Sequence, residues 1–216
     1  MFVQTNTCDD ESSGERKQER RVHMAVDTEV TSRTVDGVEL PAVGSYTLDV
    51  AHTQIGFAVR HMAVSKVRGR FASFDGTLQV AEDPTKSALK VTIDATSIDT
   101  RDETRNNHLK SNDFFDVENH PTWTYVSTGI VVAGKGKWKV TGDLTIRGIT
   151  KPVTLDASLE GVVKDPYGNH RVGFSATAEI NRDDFEVSFG AVMEAGGLVV
   201  AKKVTIEIEA EAVYQA

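Results

Sequence analysis

Cysteine is almost absent. Cys8 stands alone, so no internal disulfide can form and no cysteine pair is available to hold a metal. That usage fits a reducing compartment. Proline is also scarce, five in 216 residues, which leaves long stretches free to pair as strands. Basic residues are outnumbered: 24 Lys and Arg against 32 Asp and Glu give a net charge of −8. Such a balance argues against nucleic acid, where affinity comes largely from neutralising phosphates. No apolar run approaches the length that spans a bilayer as a helix. Met1, Phe2 and Val3 give way at once to polar residues, so no apolar signal-peptide core is read, and a cytoplasmic location is expected. Local catalytic signatures are missing as well: no G-x-S-x-G elbow, H-E-x-x-H helix, P-loop, or G-x-G-x-x-G opening a helix.

What is present is alternation. Residues 1–24 are polar and charged, and are expected to be a disordered extension. Met24 is a candidate alternative translation start. Residues 25–44 are expected to be a linker or arm. From Ser45 to the end the apolar pattern has a period of two, the mark of half-buried strands. Ile55, Phe57 and Val59 share one face, as do Val67, Gly69 and Phe71; parity then shifts to Phe74, Gly76, Leu78 and Val80, so a bulge is expected near Ala72–Ser73. Further alternating runs follow around Leu89, Trp123, Trp138, Val153, Phe174 and Val204. Turn residues such as Gly134-Lys135-Gly136 and Arg147-Gly148 separate them. The fold expected is all-β: about eight antiparallel strands in a barrel, residues 45–216, with one short helix.

The helix is expected from about Arg101 to Ser111, opened by Thr100-Arg101-Asp102-Glu103 as a capping box. Behind it comes Asp113-Phe114-Phe115-Asp116, two aromatics that a loop can turn inward as a lid, or equally as a hydrophobic foot in the core. Several inward positions are small, among them Gly69, Gly76, Ala157, Ala176, Ala210 and Ala212. They leave either a cavity beside Phe57, Phe71, Phe74, Trp123 and Trp138, or tight corners in a filled barrel.

None of the six histidines forms a close pair of metal-ligand spacing. His52, near Asp49, is the best general-base candidate, and a hydrogen-bonded structural histidine is the plainer reading. Lys66, Arg68 and Arg70 line one strand face, with Arg60 on a neighbouring strand. They read as a solvated outer face, with an anionic head group or transient membrane contact as the alternative.

A resemblance joins these features. The opening Tyr46-Thr47-Leu48-Asp49-Val50-Ala51-His52-Thr53-Gln54-Ile55-Gly56-Phe57 resembles that of the YceI family. So do His108-Leu109-Lys110-Ser111-Asn112-Asp113-Phe114-Phe115-Asp116-Val117, His120-Pro121, and Gly142-Asp143-Leu144-Thr145-Ile146-Arg147-Gly148. The resemblance implies a lipocalin-like barrel that binds polyisoprenoids or related long-chain lipids such as isoprenoid quinones, usually as a homodimer. Two positions depart from the family pattern: Asn107 stands where Asp is frequent, and Glu186 where Gly is common.

The expectation is therefore a non-enzymatic lipid carrier or store, with no cofactor other than a bound isoprenoid or fatty lipid. Ile55, Phe57, Val59, Phe71, Phe74, Phe114, Phe115, Trp123, Trp138 and Phe174 are expected to line the site, with His52, Arg60 and Arg68 near a polar head; no catalytic residue or metal ligand is assigned. The rival readings are an enzyme acting on a prenyl or acyl compound through His52, with Asp49 or His108, and a filled barrel serving as an interaction module.

Overall fold

The computed structural model describes residues 32–190 and 199–215. The 1–24 extension and the first part of the expected linker lie outside the described residues. Within the linker, Arg33–Val35 (β1) and Val38–Leu40 (β2) pair as a small antiparallel hairpin. Leu40 is buried and Arg33 donates to the carbonyls of Pro41, Ala81 and Glu82, which holds this hairpin against residues 81–82.

The main sheet follows: Gly44–Leu48 (β3), Gln54–His61 (β4), Ser65–Phe71 (β5), Phe74–Val80 (β6), Ala88–Asp94 (β7), Ile98–Asp99 (β8), Thr122–Gly134 (β9), Lys137–Ile146 (β10), Ile149–Lys164 (β11), His170–Asn181 (β12) and Val200–Gln215 (β13). All pairings are antiparallel. The circuit β3-β6-β7-β9-β10-β11-β12-β13 closes on itself, because β13 pairs with β12 along one edge and with β3 along the other. This eight-stranded closed barrel, with a single α-helix among the described residues, is the expected architecture. Closure leaves these strands without an open edge, which protects long alternating strands from pairing with other chains.

β13 is long enough to serve two partners. Its last residues pair with β3, while Val200 to Glu209 pair with β4. The β4–β5 hairpin thus hangs on the barrel through β13 and is not hydrogen-bonded to β6. The parity change at Ala72–Ser73 is consequently not a bulge within one strand. It is the point where the chain leaves β5 for β6, held there by Ala72 N–H donating to Ser97 O and Ser73 N–H to Ser97 Oγ.

The helix, Glu103–Lys110 (α1), is capped by Asp102 and not by Thr100: Asp102 Oδ1 accepts from the Arg105 amide at 3.0 Å. Thr100 is buried instead. Its hydroxyl donates to Asn106 Oδ1 and accepts from Arg105 Nε, tying the start of α1 to β8.

Candidate functional site

The period-two pattern sends one side chain of each pair into the barrel. Along β13, Val204, Ile206, Ile208, Ala210 and Ala212 all face an interior cavity of about 300 Å³. Ile55, Phe57, Val59, Phe71, Phe114, Phe115, Trp123, Trp138 and Phe174 lie on the same wall, so the structure brings together all of these expected lining residues. Phe74 is the exception. It is buried in the core, paired with Ile93, but does not reach the cavity.

Partial accessibility separates a hollow interior from a filled one. Phe57, Val59, Trp138, Phe174, Ile206 and Ile208 point inward, yet each remains half-buried rather than buried. In a close-packed core, inward aromatic and branched residues meet neighbours on every side. Here they border open space. Small residues opposite large ones create it: Trp138 is paired with Ala157, Ala157 with Ala176, and Phe174 with Ala210. Gly69 and Gly76 have another role. A methyl group built on Gly69 would stand 2.6 Å from the Phe57 ring, and one on Gly76 would stand 2.6 Å from Leu48. These glycines make room for lining side chains and leave no void of their own.

The two ends differ. At one end Tyr46, Val80, Val172 and Ala212 form a small core. Tyr46 is 1% exposed, its ring packs edge-on against Tyr214 at 5.3 Å, and its hydroxyl donates to Ala42 O at 3.0 Å. Burial pushes that phenol up to about 12. At the other end the loop after α1 folds in. Phe115 packs against Trp123 at 4.6 Å and Phe71 against Trp123 at 5.0 Å, both edge-on. Phe114 stacks near His108 and Phe189. Arg147 fixes the loop from outside by donating to the carbonyls of Asn112 (3.0 Å) and Phe114 (2.8 Å).

The residues expected near a polar head sit elsewhere. Arg60 and Arg68 are each one position out of step with Val59 and Val67, so strand parity turns them to the outer surface. His52 lies in the loop after β3 with a side chain 57% exposed, and does not reach the cavity. Its Nδ1 is 2.9 Å from Asp49 Oδ2. Asp49 also accepts from Arg171 at 2.5 Å, and Arg171 bridges to Asp165 (2.8 Å) and Glu211 (3.2 Å). Hydrogen bonds from Arg171, and then from His52, hold the Asp49 carboxyl down to about 2; Arg171 and Asn169 hold Asp165 well below the usual carboxylate range. Asp49, His52 and Glu211 place possible ligand atoms within 4.8 Å of one another. Arg171 already balances both carboxylates, so the cluster reads as a clasp joining β12, β13 and two loops.

Two arginines that the sequence did not mark do reach the wall, Arg33 and Arg182. Arg182 is 6% exposed and donates to Ala201 O (3.1 Å), Val200 O (3.3 Å) and Val187 O. Desolvation lowers its basicity. Its donors go to these backbone carbonyls, and Asp183 lies 3.8 Å from the guanidinium. No sequence signal distinguishes it from the exposed arginines.

A closed eight-stranded barrel, an apolar interior and one helix leading into a Phe-Phe loop are now established together. The YceI-like domain profile matches residues 46–212. The chain belongs to the YceI-like family. Among relatives, a UPF0312 protein of Photorhabdus laumondii is 41% identical over 144 residues, 65% of this chain and 74% of that one. A UPF0312 protein of Staphylococcus aureus is 38% identical over 170 residues, 77% of this chain and 96% of its own. The YceI protein of Campylobacter jejuni superimposes with a TM-score of 0.63 at 33% identity, covering 79% of this chain and 98% of that one. A polyisoprenoid-binding domain from Saccharophagus degradans shares the fold, with a TM-score of 0.61 at 15% identity over 79% and 98% of the two chains.

Proposed function

We propose that this YceI-like barrel binds one long-chain apolar lipid, an isoprenoid or isoprenoid quinone by preference, and stores or carries it without covalent chemistry. One observation carries the reading: an unbroken apolar wall runs along β13 from Val204 to Ala212. Eight residue steps of about 3.3 Å make on the order of 26 Å of strand, a lining suited to a chain and not to a compact polar substrate. The driving force is burial, roughly 0.8 kcal/mol for each methylene removed from water. The polyisoprenoid named for the Saccharophagus domain supports the ligand class. The polar side chains on the wall do not form a nucleophile and base pair; Arg33 and Arg182 are already engaged with carbonyls.

The chain has two tryptophans, Trp123 and Trp138, and both line the cavity. Tryptophan emission, excited selectively over tyrosine, therefore reports on the interior. Titration with a long-chain isoprenoid quinone, a quencher, is expected to extinguish the emission saturably, and Phe57→Glu to abolish the effect. Quenching that is linear, or unchanged in the folded variant, overturns the proposal.

A further inference from the structure

The tip of the β4–β5 hairpin is apolar and faces solvent. Val64 is 82% exposed and Met62 43% exposed. The turn is tight, with Val64 N–H donating to His61 O at 3.0 Å, and both central residues are left-handed: Met62 at φ 50° and Ala63 at φ 57°. Such a turn favours Asn and Gly. Met and Ala hold it here at a conformational cost, and the result is a greasy point.

Cations surround that point. Arg60 and Lys66 stand directly opposite each other across the hairpin, and neither has an ion-pair partner among the described residues. Like charges so placed repel. Arg68 is a loose 3.4 Å from Glu207, and Arg70 3.3 Å from Asp99. On the neighbouring strand Lys202 pairs with Asp183 and Lys203 with Glu179. Six cations thus meet four carboxylates in a chain whose overall charge is −8. Arg60, Ala63, Ala201 and Lys202 also border a shallow open depression. The tip adjoins the cavity wall: Val59 and Val200 both line it, and Met62 N–H donates to Val199 O at 2.8 Å.

We infer that this tip docks on an anionic lipid bilayer, Met62, Ala63 and Val64 entering the headgroup layer while Arg60 and Lys66 meet lipid phosphates. An exposed apolar point ringed by cations combines the two attractions that hold a peripheral protein to such a surface. The inference deepens the carrier reading by naming a membrane as the place of loading or delivery. It rests on that reading for its purpose and not for its test.

The test is co-sedimentation of the full chain with vesicles of phosphatidylcholine alone, or with about one-third phosphatidylglycerol. Binding to the anionic vesicles is expected to exceed binding to neutral ones at least about fivefold, and to fall away near about 0.5 M salt as screening shortens the reach of the charges. Met62→Ser with Val64→Asp removes the apolar point, and Arg60→Glu with Lys66→Glu reverses the facing pair; each is expected to abolish sedimentation with far-ultraviolet circular dichroism unchanged. No binding by the unaltered chain, or binding that both folded variants retain, overturns the inference. So does a tip variant that only dissolves a dimer in light scattering, since the occupant is then a second copy. Lipid content of the same preparations separates the two readings: lipid-filled protein that ignores vesicles sinks the docking surface alone, while empty protein that binds them sinks the carrier.

Discussion

Trp138 stands directly opposite Ala157 across β10 and β11, and Ala157 stands opposite Ala176 in β12. One ring beside two methyl groups tiles the wall and leaves the centre of the barrel open. A solid barrel with the same alternation needs large side chains at those alanines.

Ala176→Phe tests that relationship. In a filled core the added ring forces strain of about 1–3 kcal/mol. In the cavity it enters open space, so chemical denaturation is expected to show a loss below about 1 kcal/mol while lipid uptake falls sharply. A large loss of stability with uptake retained contradicts the hollow interior.

Arg147→Ala addresses the Phe114–Phe115 loop. Without the two bonds to the Asn112 and Phe114 carbonyls, residues 112–116 are expected to exchange amide hydrogens faster, and bound ligand to leave faster. Faster exchange with unchanged release makes the loop a structural foot and not a lid.

Glu186 follows Phe185 in the left-handed region, at φ 56°, closing the turn after β12. A residue with a Cβ is strained there, by roughly 1–2 kcal/mol, which is the reason glycine suits the position. Glu186→Gly is expected to raise stability by up to about 1 kcal/mol, read as a small increase in the thermal midpoint. A decrease indicates that the Glu side chain makes a compensating contact.

The Arg171 clasp gives a pH signature. Asp49 is depressed from 3.8 to about 2, and Asp165 is depressed too. Depressed carboxyls add stability that is complete above their unfolded values and disappears as pH falls through the folded ones. Arg171→Met is therefore expected to cost stability at pH 6 and progressively less from pH 4 toward pH 2, followed by urea denaturation. A difference that stays constant across that window excludes the clasp as its source.

The barrel was legible because a period of two records which face is buried: seven of the ten proposed lining residues fall on the wall for that reason, while Phe114 and Phe115 reach it from the loop after α1. Phe74 escaped the rule because it sits where the chain changes strands, with its ring in the core beside Ile93. The polar side was less legible. Arg60 and Arg68 read first as a solvated outer face, with a head group as the alternative, and parity does turn them outward; Arg182 carried no mark of its burial. The hairpin at residues 33–40 is too short for alternation to appear. Asp102 rather than Thr100 is the cap because the Thr100 hydroxyl is taken up by the side chains of Asn106 and Arg105.

The central claim is a guest inside the barrel, and mass spectrometry of the purified protein under non-denaturing conditions addresses it most directly. A complex heavier than the polypeptide by one long-chain lipid, which organic extraction then releases in equimolar amount, is the expected result. Protein of bare polypeptide mass that also takes up no isoprenoid on incubation contradicts the account.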